Sequence, residues 1–414
     1  MNLPSTTAPT ADALAPTARH GLFAPLRRLL ASTRAGQLTL VLPNGRGLQA
    51  TGHESGPQAL LHLHRWRPLL RLALQGDLGL ALSYRDGDWD SPDLTALLEF
   101  GLANEAAWGT VLAGRGPARW LARLTHLARS NTRRGSRHNI AFHYDLGNAF
   151  YAHWLDASML YSSALYDGSP QDTLEAAQAR RLERIVSMLD AKAGDDVLEI
   201  GCGWGTLAAT LARACEARVT GVTLSTEQLA FARERARQWG VNDRVDLRLQ
   251  DYRDVPGRFD RIVSIEMIEA VGEAYWPTYF STLRERLKPG GVVVLQAITI
   301  ADAHFESYRQ GADFIQRCIF PGGMLPSPGA LRAQAERAGF EIEETQCFGP
   351  SYAQTLVEWR RRFLAAWPMI EALGFDAAFK RLWTYYLSYC EAGFRAGRVD
   401  VGLYRLRVKM RSCE

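Results

Sequence analysis

Nine residues, Val197-Leu-Glu-Ile-Gly-Cys-Gly-Trp-Gly205, constrain this chain more than any other stretch. A short apolar run carries Glu199 near its end, and glycines follow at 201, 203 and 205. The pattern predicts a buried strand, a tight turn and a helix start, with a carboxylate near the strand tip. Glycine is needed where the backbone takes positive φ or passes close to a ligand. The third glycine falls in the wrong place for the pyrophosphate-binding G-x-G-x-x-G spacing.

The surrounding rhythm extends this unit. Apolar periodicity predicts helix 173–190, strand 196–200, helix 205–215, strand 217–223, helix 226–239, strands 245–249 and 260–265, helix 275–287 and strand 291–298. Such alternation implies an α/β fold, a doubly wound parallel sheet with helices on both faces. Pro289-Gly290-Gly291 reads as a turn ahead of the last of these strands, and the tail from 356 reads as helical and aromatic, with Trp359, Phe363, Trp367, Trp383, Tyr385 and Tyr386. Ahead of the sheet, helix 19–33 sets Leu22, Phe23, Leu26, Leu29 and Leu30 on one face, fit for a lipid surface or for its own domain. Strand 37–42, a strand at Leu60–His64, a helix through Pro68, a strand at Leu78–Tyr84 and a helix from about Asp93 suggest a smaller α+β domain. The expected organisation is a disordered leader over 1–18, an N-terminal lipid- or membrane-associated domain over 19–128, a basic linker over 129–137 and a catalytic domain over 138–414.

Charge is distributed unevenly. Residues 1–137 carry 16 Arg and no Lys against 9 Asp and Glu, while the remainder carries 32 basic against 35 acidic residues. A basic front suits an anionic surface, membrane or nucleic acid, or is simply a solvated arginine-rich face. No zinc-finger, RNP or helix-turn-helix signature supports nucleic acid. Six cysteines without CxxC spacing argue against zinc and against a disulfide framework, so no metal is expected. No apolar stretch approaches the ~20 residues of a membrane span, and the first residues lack a secretory pattern. The expected location is cytoplasmic.

In a doubly wound sheet, ligands bind beyond the carboxyl ends of the strands. Four ends carry polar or glycine-rich groups: the Gly201/Gly203/Gly205 turn; Thr223 with Gln228, a neutral pair placed where many nucleoside sites use a carboxylate; Asp251-Tyr252, a carboxylate and a ring suited to adenine; and Ser264-Ile265-Glu266-Met267-Ile268-Glu269. Asp251 equally reads as a helix cap and Tyr252 as core.

The glycine turn resembles the first motif of class I S-adenosylmethionine (SAM) methyltransferases. Asn139-Ile-Ala-Phe-His-Tyr-Asp-Leu-Gly-Asn148, Met159-Leu-Tyr-Ser-Ser-Ala-Leu-Tyr166, Met267-Ile-Glu-Ala-Val-Gly272 and Phe348-Gly-Pro-Ser-Tyr352 then follow the order and spacing of the cyclopropane-fatty-acyl-phospholipid and mycolic acid cyclopropane synthases. The resemblance covers about 138–400, and the N-terminal domain more loosely. It implies that Tyr161 and Ser162 contact the methionine part of SAM, that Gly201 and Gly203 line it, that Thr223 and Gln228 hold the ribose, and that Asp251, Tyr252 and Ile265 surround the adenine. It implies methyl transfer to the cis double bond of unsaturated phospholipid acyl chains, with a bound bicarbonate taking the proton that closes a cyclopropane.

Of the family's four bicarbonate-holding side chains, Glu269 and Tyr352 are kept. The cysteine is Ser163 and the histidine is Gln296; a second family histidine, after the glutamate, is Ala270. These changes bring in two alternatives: Glu266 as a second carboxylate able to take a proton, and a methyl-branched or methylene-bearing olefin as product. A small-molecule amine methyltransferase is the reading from another class. The segment 311–326 reads as a lid, a channel wall or plain core. As partners the resemblance implies membrane phospholipids at an anionic inner face and admits a homodimer.

Overall fold

The computed structural model describes residues 24–112 and 146–409. The leader 1–18, Leu22 and Phe23, the basic linker 129–137 and most of the Asn139–Asn148 motif lie outside the described residues. The chain divides into two compact units, Met1–Leu121 with Phe375–Ala396, and Ala122–Gly374 with Gly397–Glu414.

The first unit holds a sheet of order β2-β1-β3-β4, built from β1 (Ala35–Val41), β2 (Gly47–Thr51), β3 (Glu54–Leu63) and β4 (Trp89–Asp90). β1 pairs antiparallel with β2 and parallel with β3. Leu78–Tyr84, expected as a strand, lies within a helix, Asp77–Arg85. Gly76, at φ 65°, ends the preceding helix Arg67–Gln75 and opens this one. A Cβ on Gly79 would lie 2.3 Å from the Arg71 carbonyl oxygen, so the two helices approach where a side chain is missing. The next helix, Leu94–Ala103, starts where expected, with the Asp93 carboxylate accepting from the Ala96 N–H at 2.9 Å. Tyr84, Trp89 and Tyr385 pack in tilted and edge-on contacts with centroids 4.8–6.4 Å apart, and Trp383, Tyr385 and Tyr386 of helix Ala377–Arg395 are buried. Among the described residues 24–112, eight arginines meet eight carboxylates, so the basic excess of the front segment lies elsewhere in the sequence.

The second unit is an α/β sheet of seven strands: β5 (Asp196–Ile200), β6 (Arg218–Thr223), β7 (Val245–Leu249), β8 (Phe259–Ile265), β9 (Leu287–Ile300), β10 (Phe340–Cys347) and β11 (Val399–Val408). The order is β10-β11-β9-β8-β5-β6-β7, with β9 through β7 parallel and β11 antiparallel to both neighbours. Two expectations are corrected, and one strand was not foreseen. β9 runs through Pro289-Gly290-Gly291 instead of beginning after it, and the β8–β9 register shifts there. β10 was not anticipated, because only Phe340 on it is fully buried. The tail is not helical to its end: after helices Gly349–Ala365, Trp367–Ala372 and Ala377–Arg395 the chain returns as β11 between β9 and β10. Leu198, Ile200, Ile262, Phe280, Leu283, Val293, Leu295 and Leu406 fill the core beside the sheet. Each such side chain contributes about 1.5–3 kcal/mol of burial, which fixes the strand ends on which the site is built. Among the described residues no helix is long and apolar enough to cross a membrane, and no group of three potential metal ligands is found.

Candidate active site

The turn after β5 is held by backbone. The N–H groups of Gly201 and Cys202 both donate to the Val222 carbonyl, at 2.9 and 3.0 Å. Gly201 and Gly205 sit at φ 83° and 82°, where an L side chain is strained. A Cβ on Gly205 would lie 2.8 Å from that of Ala232, and one on Gly201 would lie 3.0 Å from Met267 Cγ. The second approach brings the glycine turn against the turn after β8. Gly205 then opens helix Thr206–Ala214, and the Trp204 indole N–H donates to Asn148 Oδ1 at 2.7 Å.

At the tip of β6 the Thr223 hydroxyl donates to Gln228 Oε1 at 3.0 Å, and both residues are buried. Ser225 caps the following helix by accepting from the Gln228 N–H at 3.2 Å, which fixes the position of Gln228. Past β7, Asp251 is a cap as well as a strand tip. Its carboxylate accepts from the Arg253 N–H at 3.0 Å and from that guanidinium at 2.6 and 2.8 Å. The Tyr252 ring is half-buried beside Tyr279, and Ile265, ending β8, is also half-buried. The Tyr161 ring lies 5.2–5.6 Å from those of Tyr151, Trp154 and Trp359, an aromatic wall. Ser162 is buried, its carbonyl accepting from Gln178 at 2.9 Å.

The turn after β8 carries the acids. Glu266 sits at φ 48°, a conformation that disfavours any side chain. Three donors converge on its carboxylate: the Ser163 N–H at 2.9 Å, the Gln296 amide at 2.6 Å and the Tyr352 hydroxyl at 2.7 Å. Glu269 Oε1 accepts from the Ile298 N–H at 2.6 Å, while Oε2 is shut off from solvent without a partner. Loss of solvent raises both carboxyls; that of Glu269 is pushed up to about 8, with the nearby charge of Glu266 adding to the effect. Glu266, with three donors and the field of the buried Arg181, is the better stabilised of the pair as an anion, while Glu269, with one donor and the neighbouring acid against it, is the better held in its neutral form. Burial likewise pushes Glu199 up to about 8, and its Oε2 has no partner.

The residues fit SAM in two respects: a glycine turn with open space at Gly203, and an orphaned carboxylate oxygen on Glu199 beside it. They do not fit bicarbonate. The Ser163 N–H, Gln296 and Tyr352 already hold the chain's own carboxylate, and the Ser163 hydroxyl turns away to the Ala164 carbonyl at 2.9 Å. A further anion there would meet the charge of Glu266. The segment 311–326 packs on the same turn, with Phe314, Ile319 and Met324 buried and the Met324 N–H donating to the Glu269 carbonyl at 2.8 Å.

The sequence reading missed Arg181 and Gln178. Both lie on the buried stripe of helix Leu174–Leu189 with Ala177, Leu182, Ile185 and Met188. A polar pair recurring at apolar helical positions was the signal that could have found them.

A family model described as mycolic acid cyclopropane synthetase matches residues 131–403. The tuberculostearic acid methyltransferase UfaA1 of Mycobacterium tuberculosis is 40% identical over 382 residues, covering 88% of this chain and 86% of that protein. The cyclopropane-fatty-acyl-phospholipid synthase of Escherichia coli K12 is 39% identical over 339 residues, covering 80% and 83%. Among solved structures, the mycolic acid cyclopropane synthase CmaA1 complexed with SAH and CTAB superposes with a TM-score of 0.62 at 28% identity, over 65% of this chain and 97% of that one.

Proposed function

The chain belongs to the mycolic acid cyclopropane synthetase family, and from that premise we propose that it transfers a one-carbon unit from SAM to the cis double bond of unsaturated phospholipid acyl chains. One observation carries the reading: a Cβ placed on Gly201 would come within 3.0 Å of Met267 Cγ, so the donor turn abuts the turn bearing Glu266 and Glu269.

Bound SAM supplies an electrophilic methyl on a sulfonium. The protein's part is placement and dryness. Gly201 and Gly203 leave room for the donor, Tyr161 and Ser162 flank its methionine end, Thr223 and Gln228 offer neutral partners to the ribose, and Asp251, Tyr252 and Ile265 border the adenine. An alkene is a weak nucleophile, so alignment and exclusion of water supply much of the rate. The Tyr161, Trp154 and Trp359 rings and the 311–326 wall serve that exclusion. With SAM bound, the olefin would take its methyl as the carbon–sulfur bond broke, and the chain would be left with a cationic centre. One proton must then go. We assign its removal to Glu266, held ionised by Ser163, Gln296 and Tyr352, with neutral Glu269 beside it.

Loss of that proton from the new methyl closes a cyclopropane, the product named for the Escherichia coli relative. A second reading of the product is favoured by Glu266 itself. A fixed carboxylate occupies the cradle, and a base placed there that reaches a chain carbon after a hydride shift leaves a branched or methylene-bearing olefin. Acyl chains in a bilayer also call for a membrane contact. We place it at the inner face on Trp66, Leu70 and Leu74, spaced four apart along and just before helix Arg67–Gln75 and 42%, 61% and 44% exposed.

The test is expression in a host without such enzymes, fed methyl-labelled methionine, with mass spectrometry of the lipids. Labelled acyl chains one methylene heavier are expected, and ozonolysis separates ring from olefin. Unaltered acyl chains, or label confined to a water-soluble amine, would overturn the reading.

A further inference from the structure

The carboxylate of Glu266 is one station of a closed ring of hydrogen bonds. The Ser162 carbonyl accepts from Gln178 at 2.9 Å, and Gln178 Oε1 accepts from Arg181 Nε at 3.1 Å. Arg181 also donates to Gln296 Oε1 at 3.3 Å; the Gln296 amide donates to Glu266 at 2.6 Å, and the Ser163 N–H returns to Glu266 at 2.9 Å. The Ser162–Ser163 peptide closes the circuit. Gln178, Arg181 and Gln296 are each 1% exposed. An arginine on a buried helix face is costly unless something depends on it.

What depends on it is the orientation of Gln296. An amide offers an oxygen that only accepts and an NH2 that only donates. With the guanidinium on one side and the carboxylate on the other, a single orientation satisfies both. Flipped, the amide would press two acceptors together at 2.6 Å and set its own N–H groups against those of Arg181. We propose that Arg181 is a positioning residue for the proton-removal step: it locks Gln296 as a donor to Glu266 and keeps that carboxylate charged. The proposal rests on the reading of Glu266 as the base. Glu266 is faced by Arg181 from helix Leu174–Leu189, by Tyr352 from helix Gly349–Ala365, by Gln296 from β9 and by Glu269 from its own turn; Asp156 and Glu199 also face Arg181. Of these the arginine alone is a cation, and burial lowers it only to about 10, so it stays charged at neutral pH.

The test uses the full-length enzyme and two variants, Arg181→Met and Arg181→Lys, each checked for SAM binding. Infrared difference spectra across pH follow the Glu266 carboxyl, its band identified by its loss in Glu266→Gln. Removing the cation in Arg181→Met is expected to raise the Glu266 midpoint by about one pH unit or more. It should also lower kcat about tenfold while KM for lipid and SAM affinity stay put. Arg181→Lys keeps the charge but not the planar fork, so the midpoint stays near wild type while kcat still falls. An unmoved midpoint with wild-type kcat in Arg181→Met overturns the proposal. Should that variant not fold, wild-type kcat in Arg181→Lys overturns it instead. If the wild-type enzyme labels no lipid, the proposed function fails, while the infrared midpoints still decide whether Arg181 governs Glu266.

Discussion

Replacing Glu269 by Gln tests the assignment of a neutral acid beside a charged one. In the folded protein the Glu269 carboxyl is pushed up to about 8 from an ordinary 4.5. The folded state therefore keeps a proton that the unfolded chain releases. The associated stability is fully present below pH 4.5 and is lost as pH rises through 8. Each pH unit inside that window costs about 1.4 kcal/mol at most. Raising the pH from 7 to 9 crosses about one unit of the window and removes about 1.4 kcal/mol, an upper bound because the residue keeps some solvent contact. Glu199, raised by the same cause, adds its own slope to wild type and variant alike. In Glu269→Gln the amide oxygen can still accept from the Ile298 N–H, but nothing ionises. Urea unfolding at pH 7 and 9 should thus show the variant losing about 1 kcal/mol less than wild type over the interval. SAM affinity should be unchanged, and product formation should persist, because Glu266 and not Glu269 takes the proton. Identical pH slopes would refute the buried neutral acid; loss of product with SAM binding intact would move the proton transfer to Glu269.

The remaining expectations concern neighbouring positions. Glu266→Gly relieves a side chain at φ 48° but strips the Ser163 N–H, Gln296 and Tyr352 of their acceptor and Arg181 of its counter-charge, so the fold should lose about 3 kcal/mol; labelled lipid should fall or change its ratio of ring to olefin, and an unchanged product spectrum counts against Glu266 as base. Gly201→Ala puts a Cβ 3.0 Å from Met267 Cγ at φ 83°, so calorimetry should show SAM affinity lost by about tenfold or more, and wild-type affinity would reject the cradle. Serine at Trp66, Leu70 and Leu74 together should weaken sedimentation with phospholipid vesicles without changing SAM affinity; undiminished sedimentation places the membrane contact elsewhere.

Much of this protein is legible in one dimension. Periodicity gives β5 to β8 and the helices between them because each strand is a short apolar run bounded by turn residues, and the glycines at 201, 203 and 205 announce a turn that must approach something. The segments around Tyr161, Glu269 and Tyr352 carry the family resemblance in their local order. What sequence could not give is pairing across long separations. β11 is recognisable only once β9 and β10 flank it, and Leu78–Tyr84 declares itself a helix only when Gly79 meets Arg71. The site shows the same division. Ser163, Glu266, Gln296 and Tyr352 are named by motif and spacing, yet whether their donors hold an outside anion or one another depends on angles and distances across four separate elements. Hydrogen bonds and desolvation act through space at about 3 Å, so only the folded chain could show that Glu266 fills the cradle, that Glu269 lies buried beside it and that Arg181 stands behind Gln296.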